Sequence, residues 1–393
     1  MRLTHCATMR EVVPRGESHV SETTKHRFPL WIVFYLITGL LLMLASGGAL
    51  AAEQAVYARI GSVQDDTLFV EVPAKGPEEP ESDIEGPLNI LMVGIDPRNA
   101  TEAPRSDSIL VAHIPAGLDQ AYIFSIPRDL YVQIPASEKA ELSAHHGKIN
   151  GSMSLGSRVP GSDLPDTNQG FQHLVKTLGQ VTGIKKFDAG AIIDFGGFKD
   201  IVEAMGGVTM TVDQEVPSEH LKPDGKPRDR LSHCADNTCD HPYYGEQKVY
   251  KIGTYHLQAW EALDYVRQRY HLPNGDYDRQ RHQQQFIRAI AEQALSKDMV
   301  TNPSKLLRVM DAAGKSLTFS GGGHDVTEWA VALRHLRTQN MVTVALPGHG
   351  VSVNGSYAGE EFEPEVADFF TAVRTNTVPQ FLLDHPEFVN TGG

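Results

Sequence analysis

The chain has 393 residues, 41% of them hydrophobic, with 49 acidic against 35 basic side chains and a formal net charge of −14. That length accommodates one large domain or two ordinary ones with a sizeable core, and the acidic balance argues against nucleic acid as a partner. Three cysteines, Cys6, Cys234 and Cys239, are too few for a disulfide framework.

Residues 1–27 are polar and show no hydrophobic period. Lys25, His26 and Arg27 then precede Phe28–Ala52, a run of 25 residues without a charge. A bilayer-spanning helix needs roughly 20 apolar residues. The basic flank on one side and Glu53 on the other put the N-terminus in the cytoplasm. The run is too long and too evenly apolar for a buried core helix. A cleaved signal peptide is the better rival, because Ala49-Leu50-Ala51 imitates a cleavage site, but the polar leader is long for one. We therefore expect an uncleaved signal anchor in the cytoplasmic membrane, with everything from Glu53 onward outside it. Residues 53–87 read as a juxtamembrane segment and a Pro/Glu/Gly linker. The folded domain is expected over 88–380, with a tail at 381–393.

The stretch Asn89–Asp129 holds three apolar runs, Ile90–Ile95, Ile109–Ile114 and Tyr122–Ile126. Their length, Ile/Val content and Pro/Gly boundaries predict buried strands. Each adjoins a charged cluster: Asp96–Arg98, Arg105–Asp107 or Arg128–Asp129. Open α/β sheets keep their ligand sites at such strand ends. Carboxylates that can hold a hard cation recur there beside arginines that can fork onto phosphate oxygens. The pairing points to a pyrophosphate with a divalent metal.

Farther along, the spacing predicts a helix over Asn168–Val181 capped by Gly183, a strand over Phe187–Phe195, and a short helix through Phe198, Ile201, Val202 and Met205. A strand over Val208–Val212 follows. Strand–helix alternation of this kind is the signature of layered α/β architecture. Residues 217–252 are polar and long for a connection, so they read as an insertion or lid. Within them His233-Cys234 and Cys239-Asp240-His241 allow a zinc site, free thiols or a local disulfide; the disulfide is favoured outside the membrane.

Gln258–Tyr270 reads as a helix. Arg267 and Arg269 would be about 200° apart on it, so if both serve one site the helix must end between them. Over 279–295, Phe286, Ile287, Ile290 and Ala294 form an apolar stripe whose backward extension meets Arg279, His282 and Gln283, while Arg281 and Gln284 face elsewhere. Polar groups on the core-facing stripe at a helix N-terminus, just after Arg267 and Arg269, suggest an anion site. Two or three further helices (around 304–313, 328–336 and 363–374) and two strands (316–319, 342–346) are expected to complete the fold. His349 reads as a loop residue, and the chain from Val378 as a partly ordered extension.

The segments GIDPR (94–98), RSDS (105–108), SIPRDLYV (125–132), KIN (148–150), MGGV (205–208), WEALDYVRQR (260–269) and GDYDRQRHQQQF (275–286) follow one another in the order found in the LytR–CpsA–Psr family of cell-envelope proteins. The chain resembles that family, strongly over 88–297 and more loosely to 377. The resemblance implies an αβα sandwich around a mixed sheet, with a hydrophobic lipid tunnel, behind one transmembrane helix. It implies a phosphotransferase that moves a glycopolymer from a polyprenyl-pyrophosphate carrier to peptidoglycan, at the 6-hydroxyl of N-acetylmuramic acid. The family's metal carboxylates correspond to Asp96 and Asp107, which would hold magnesium, with manganese as an alternative. Its pyrophosphate-binding residues correspond to Arg105, Arg128, Arg267, Arg269, Arg279 and Gln283, and Asp276 takes a place where some members carry Asn. Asp107, Arg105 and Arg128 are the candidate catalytic residues; Asp107 or Asp96 is the candidate base. His282 stands where many members carry Arg. Phe171–Val181 and Phe187–Met205 are candidates for the tunnel and equally for plain core. Two alternatives use the same residues: a polyprenyl-pyrophosphate hydrolase, and a non-catalytic, membrane-tethered lipid-carrier binder or regulator.

Overall fold

The computed structural model describes Leu68, residues 83–234, Cys239, 241–294 and 303–390. The expected anchor over 28–52 lies outside these residues. No helix among the described residues is long and apolar enough to cross a membrane.

Counting strands of four residues or more, the chain runs β1 (Leu88–Ile95), β2 (Ser108–Ile114), β3 (Ala121–Ser125), β4 (Tyr131–Ile134), β5 (His145–Lys148), α1 (Ile149–Gly156), α2 (Thr167–Thr182), β6 (Ala189–Asp194), α3 (Phe195–Ala204) and β7 (Val208–Val212). After the insertion come β8 (Gly253–Leu257), α4 (Ala259–Arg267), α5 (Asp276–Ala294), α6 (Pro303–Ser316), β9 (Leu317–Ser320), α7 (Val326–Ala332), β10 (Met341–Val344), β11 (Gly348–Val353), β12 (Ser356–Phe362), α8 (Val366–Arg374) and α9 (Val378–Asp384). Six strands form one mixed sheet in the order β9-β6-β1-β2-β3-β10. β1 runs parallel to β6 and antiparallel to β2, and β3 runs parallel to β10.

Successive strand residues point to opposite faces, and the three apolar runs use both. Ile90, Leu110, Ala112 and Ile123 enter one core with α3, α4, α5 and α6. Leu91, Val93, Ile109, Val111 and Phe124 enter a second core with α1, α2, α8 and α9. Every residue of β2 is buried, as befits a central strand covered on both sides. The result is the expected three-layer sandwich around a mixed sheet.

Local signals set several boundaries. Asp166 caps α2 by accepting from the Gln169 backbone N–H, and Gly183 ends it at φ 69°. The core also takes in Ile84 and Leu68, from the stretch expected as linker. Two expectations are corrected. The chain from Val378 is not a loose extension: Phe381 and Phe388 pack on Phe369, and Val389 bridges to Val344. His349 lies in β11, opposite Glu361, rather than in a loop. The hairpin β11–β12 turns at Asn354-Gly355, both at positive φ, a tight-turn signature that the sequence reading passed over.

Candidate functional site

The sheet brings the charged clusters to one edge. Asp96 follows β1, Asp107 precedes β2, Arg128 follows β3, and Phe195 follows β6. β2 is antiparallel to β1 with Ser108 opposite Gly94, so Asp96 and Asp107 flank the same end of the pair. A polar pocket of about 500 Å³ opens there. Six arginines line it (Arg98, Arg128, Arg230, Arg267, Arg269 and Arg279) against three carboxylates, Asp96, Asp107 and Glu219. A local cationic excess in a chain of net charge −14 marks a site for a small anion.

Carboxylates hold three of these arginines, Arg128, Arg267 and Arg279. Arg128 Nη1 donates to Asp107 Oδ1 at 2.6 Å, and its Nε lies 3.9 Å from Asp129 and 4.0 Å from Asp276. Arg279 Nη2 pairs with Asp276 Oδ1 at 2.7 Å and donates to the Asp107 carbonyl at 3.1 Å. Arg267 Nη2 pairs with Asp96 Oδ2 at 2.8 Å while its guanidinium lies over the Phe195 ring. Burial lowers the Arg128 pKa, but Asp107, Asp129 and Asp276 more than offset this and leave it raised. Burial wins at Arg279, whose pKa is lowered against the pull of Asp276. Arginine starts so high that both remain cationic at neutral pH.

The site also depends on how α4 ends. The helix stops at Arg267, and Gln268 is extended at φ −64°, ψ 135°. Arg267 and Arg269 thereby reach the same pocket, as their angular separation required. The stop comes before Pro273 and is fixed by the fully buried Gln268 side chain. Its amide donates to Asp264 Oδ1 at 2.7 Å and accepts from the Glu219 backbone N–H at 2.9 Å.

On α5 the polar trio is buried, but its members part company. Arg279 and Gln283 line the pocket. Gln283 accepts from Ser108 Oγ at 2.8 Å, which ties α5 to the start of β2. His282 does not reach the pocket: it stacks on Tyr265 at 4.5 Å and lies 3.2 Å from Gln214 Nε2. Burial lowers its pKa. Gln284 faces away from the pocket yet is buried too, bonded to Ser125, Val344 and Asn390.

Two further expected residues stand apart. Arg105 is exposed and does not line the pocket; among the described residues its side chain makes no hydrogen bond or ion pair. Asp276 stands behind Arg279 and Arg128 and holds them, rather than forming pocket wall. The insertion supplies residues the sequence reading did not assign to the pocket: Glu219, His220, Arg230, Cys239 and Tyr243 all line it. Cys234 and Cys239 form a disulfide, so the two sulfurs are not zinc ligands. Only the pairing of the cysteines was legible, because the lid meets the pocket through tertiary contacts.

Asp96 and Asp107 suit a hard divalent cation. Each presents one oxygen to an arginine, and the other oxygen has no protein partner among the described residues. Two carboxylates with phosphate oxygens and water make an all-oxygen set of the kind magnesium takes.

A narrow apolar cavity of about 100 Å³ lies beside the polar pocket, between the sheet and α3 and α5. The two share Phe195 and Gln283. Of the two tunnel candidates, Phe187–Met205 lines it, through Phe195, Phe198, Ile201 and Val202. Phe171–Val181 does not: Phe171, Leu174 and Leu178 pack on the opposite face of the sheet.

Known proteins align with this architecture. The cell wall biosynthesis protein LcpA of Corynebacterium glutamicum is 26% identical over 297 residues, covering 70% of this chain and 52% of that protein. The chain thus spans about half the length of that relative. The polyisoprenyl-teichoic acid–peptidoglycan teichoic acid transferase TagU of Bacillus cereus is 26% identical over 284 residues, covering 70% of this chain and 75% of that one. Among solved structures, the protein gbs0355 of Streptococcus agalactiae superposes with a TM-score of 0.52 at 17% identity, covering 74% of this chain and 87% of that one. TagV of B. subtilis gives 0.50 at 22%, covering 76% and 98%; these two likenesses concern the fold alone. The LytR_cpsA_psr family model matches residues 63–375, and the chain belongs to that family.

Proposed function

We propose that the protein is a phosphotransferase that takes a glycopolymer from a polyprenyl-pyrophosphate carrier and joins it to peptidoglycan. One observation carries the reading: a pocket rich in arginine adjoins an apolar cavity, with Phe195 and Gln283 lining both. A ligand suited to both has a charged head and a hydrocarbon tail. The names of the relatives LcpA and TagU support cell-wall glycopolymers and peptidoglycan as the two substrates.

In this reading Arg128, Arg267, Arg269 and Arg279 receive the pyrophosphate. Carboxylates already hold the forks of Arg128, Arg267 and Arg279 in place, so little reorganisation is needed when phosphate oxygens replace them. An acceptor hydroxyl, the muramic acid 6-hydroxyl, attacks the phosphorus nearer the glycan. The bridging P–O bond breaks, polyprenyl monophosphate leaves, and a phosphodiester remains. Charge grows on the phosphoryl and leaving oxygens, where fixed guanidinium groups stabilise it most. Magnesium at Asp96 and Asp107 would neutralise part of that charge. Asp107 or Asp96 is the candidate acceptor of the hydroxyl proton. The segment 28–52 would tether the domain on the outer side of the cytoplasmic membrane, where carrier and peptidoglycan meet.

The test is a reconstituted transfer. The purified full chain is mixed with a polyprenyl-pyrophosphate oligosaccharide, peptidoglycan oligomers and magnesium. We expect a glycan–peptidoglycan phosphodiester and equimolar polyprenyl monophosphate, both lost with chelator or with Asp107→Asn. Glycan phosphate released at the same rate without acceptor would make the protein a hydrolase. No turnover with tight donor binding would make it a carrier-binding protein.

A further inference from the structure

Glu219 is a carboxylate of the insertion that is 2% exposed. Among the described residues its Oε1 accepts no hydrogen bond, which is costly for a buried charge. The nearby Arg228 does not relieve it. That guanidinium donates to the carbonyls of Ser218, Glu219 and Gly245, and it stands 3.9 Å from the other oxygen, Oε2. Besides that guanidinium, a pair of imidazoles faces Glu219. His241 Nδ1 is 3.5 Å from Oε1, and His271 Nε2 is 3.2 Å from Oε2. The two rings stack at 5.0 Å, with Tyr270 set edge-on against His241 at 4.8 Å.

We propose that Glu219, His241 and His271 form a binding site for a zinc-class divalent cation, separate from the carboxylates assigned to magnesium. The three ligand atoms lie within 4.8 Å of one another. With bonds of about 2.0–2.1 Å, tetrahedral zinc places its ligand atoms roughly 3.3 Å apart, so side-chain adjustments of about an ångström complete the set. Two imidazoles and one carboxylate form a ligand set zinc uses, leaving a fourth position for water or a ligand oxygen. Magnesium and calcium prefer oxygen alone. The cation would also supply the partner that Oε1 lacks.

The site joins two segments that are far apart in sequence. His241 lies between Cys239 and Tyr243 of the insertion, and His271 follows Arg269 and Tyr270; all four neighbours line the anion pocket. A bound cation would therefore pin the lid to the segment that carries Arg269. His271 sits at φ 62°, in the left-handed region, and this turn directs its ring back to Glu219.

The experiment is a zinc titration of the full chain, disulfide intact and stripped with chelator, read by competition with a chromophoric chelator at neutral pH. We expect one high-affinity zinc per chain. His241→Ala and His271→Ala, at half-exposed side chains, should each weaken binding at least about tenfold, and the double variant should abolish it. His233→Ala and His324→Ala alter the two other histidine-containing clusters and should leave affinity within about twofold. Cobalt substitution should give the visible absorption of a tetrahedral site, lost in the double variant. Zinc should also slow amide exchange over residues 241–245. The proposal is overturned if no zinc binds, or if binding survives the double variant. It is equally overturned if binding is lost with Asp96→Asn instead. Zinc binding with unchanged exchange at 241–245 would overturn the pinning of the lid.

Discussion

The two faces of the sheet are built from alternate residues of the same strands, yet they end differently. Under α1, α2, α8 and α9 the core closes around Phe124, which meets Phe369 edge-to-face at 5.1 Å and Phe370 at 6.2 Å. Under α3 and α5 a cavity stays open beside Phe198 and Phe286, whose rings meet at 4.3 Å. The open face is also the one whose helix carries buried polar groups, Arg279 and Gln283, tied to Asp276, Asp107 and Ser108. These bonds fix the pocket end of α5 by polar contacts, so α5 is not positioned by apolar contact alone. Both faces carry a packed core, and the one under α3 and α5 also leaves a cavity beside the polar pocket.

The comparison can be broken at either face. The largest loss of stability is expected from Phe124→Ala on the closed face, about 3–5 kcal/mol by thermal or denaturant unfolding. The folded fraction should keep its ligand. Arg279→Ala on the open face should cost about 3 kcal/mol, because Asp276 loses its buried partner. Transfer should fall roughly 10²–10³-fold, as expected when a charge-stabilising donor is removed. Each face also carries a buried histidine with a lowered pKa: His113 beside Asn89 on the closed face, and His282 on the open one. Burial lowers His113 from 6.5 to about 4. The unfolded chain then binds the proton first, so stability is full above pH 6.5 and declines as pH falls toward 4, by up to about 3 kcal/mol. His113→Gln should flatten that limb of a stability–pH curve; an unchanged slope would show that His113 is not buried neutral. The smallest stability change is expected from Val202→Phe, which places a ring in the open cavity at a cost of about 1–3 kcal/mol and should exclude a lipid tail.

Much of this division was visible in the residues. Apolar runs ending in charge placed Asp96, Asp107 and Arg128 at strand ends, and those ends share one edge. The angular separation of Arg267 and Arg269 required a break in α4; the buried Gln268 that makes it was not singled out, since its partners Asp264 and Glu219 come from a helix and from the insertion. The backward extension of the α5 stripe found Arg279 and Gln283, but also His282, because a stripe gives direction and not reach. Periodicity could not tell the closed face from the open one. Phe171–Val181 and Phe187–Met205 look alike as sequence, and their fates differ only through what packs opposite them. Arg105 sits in a charged cluster like Arg128, yet it points to solvent, and nothing in its neighbours along the chain distinguishes the two.

The most direct measurement is made on the full chain purified from cells that make polyprenyl-linked glycans, extracted with organic solvent and analysed by mass spectrometry. A polyprenyl phosphate or pyrophosphate should be recovered from the parent protein and from Phe124→Ala that remains folded. It should be lost from Arg128→Ala, which removes part of the head-group site, and from Val202→Phe, which fills the tail site. Equal recovery of lipid from Val202→Phe, or no lipid from a folded parent protein, would contradict the account that the open face holds the carrier.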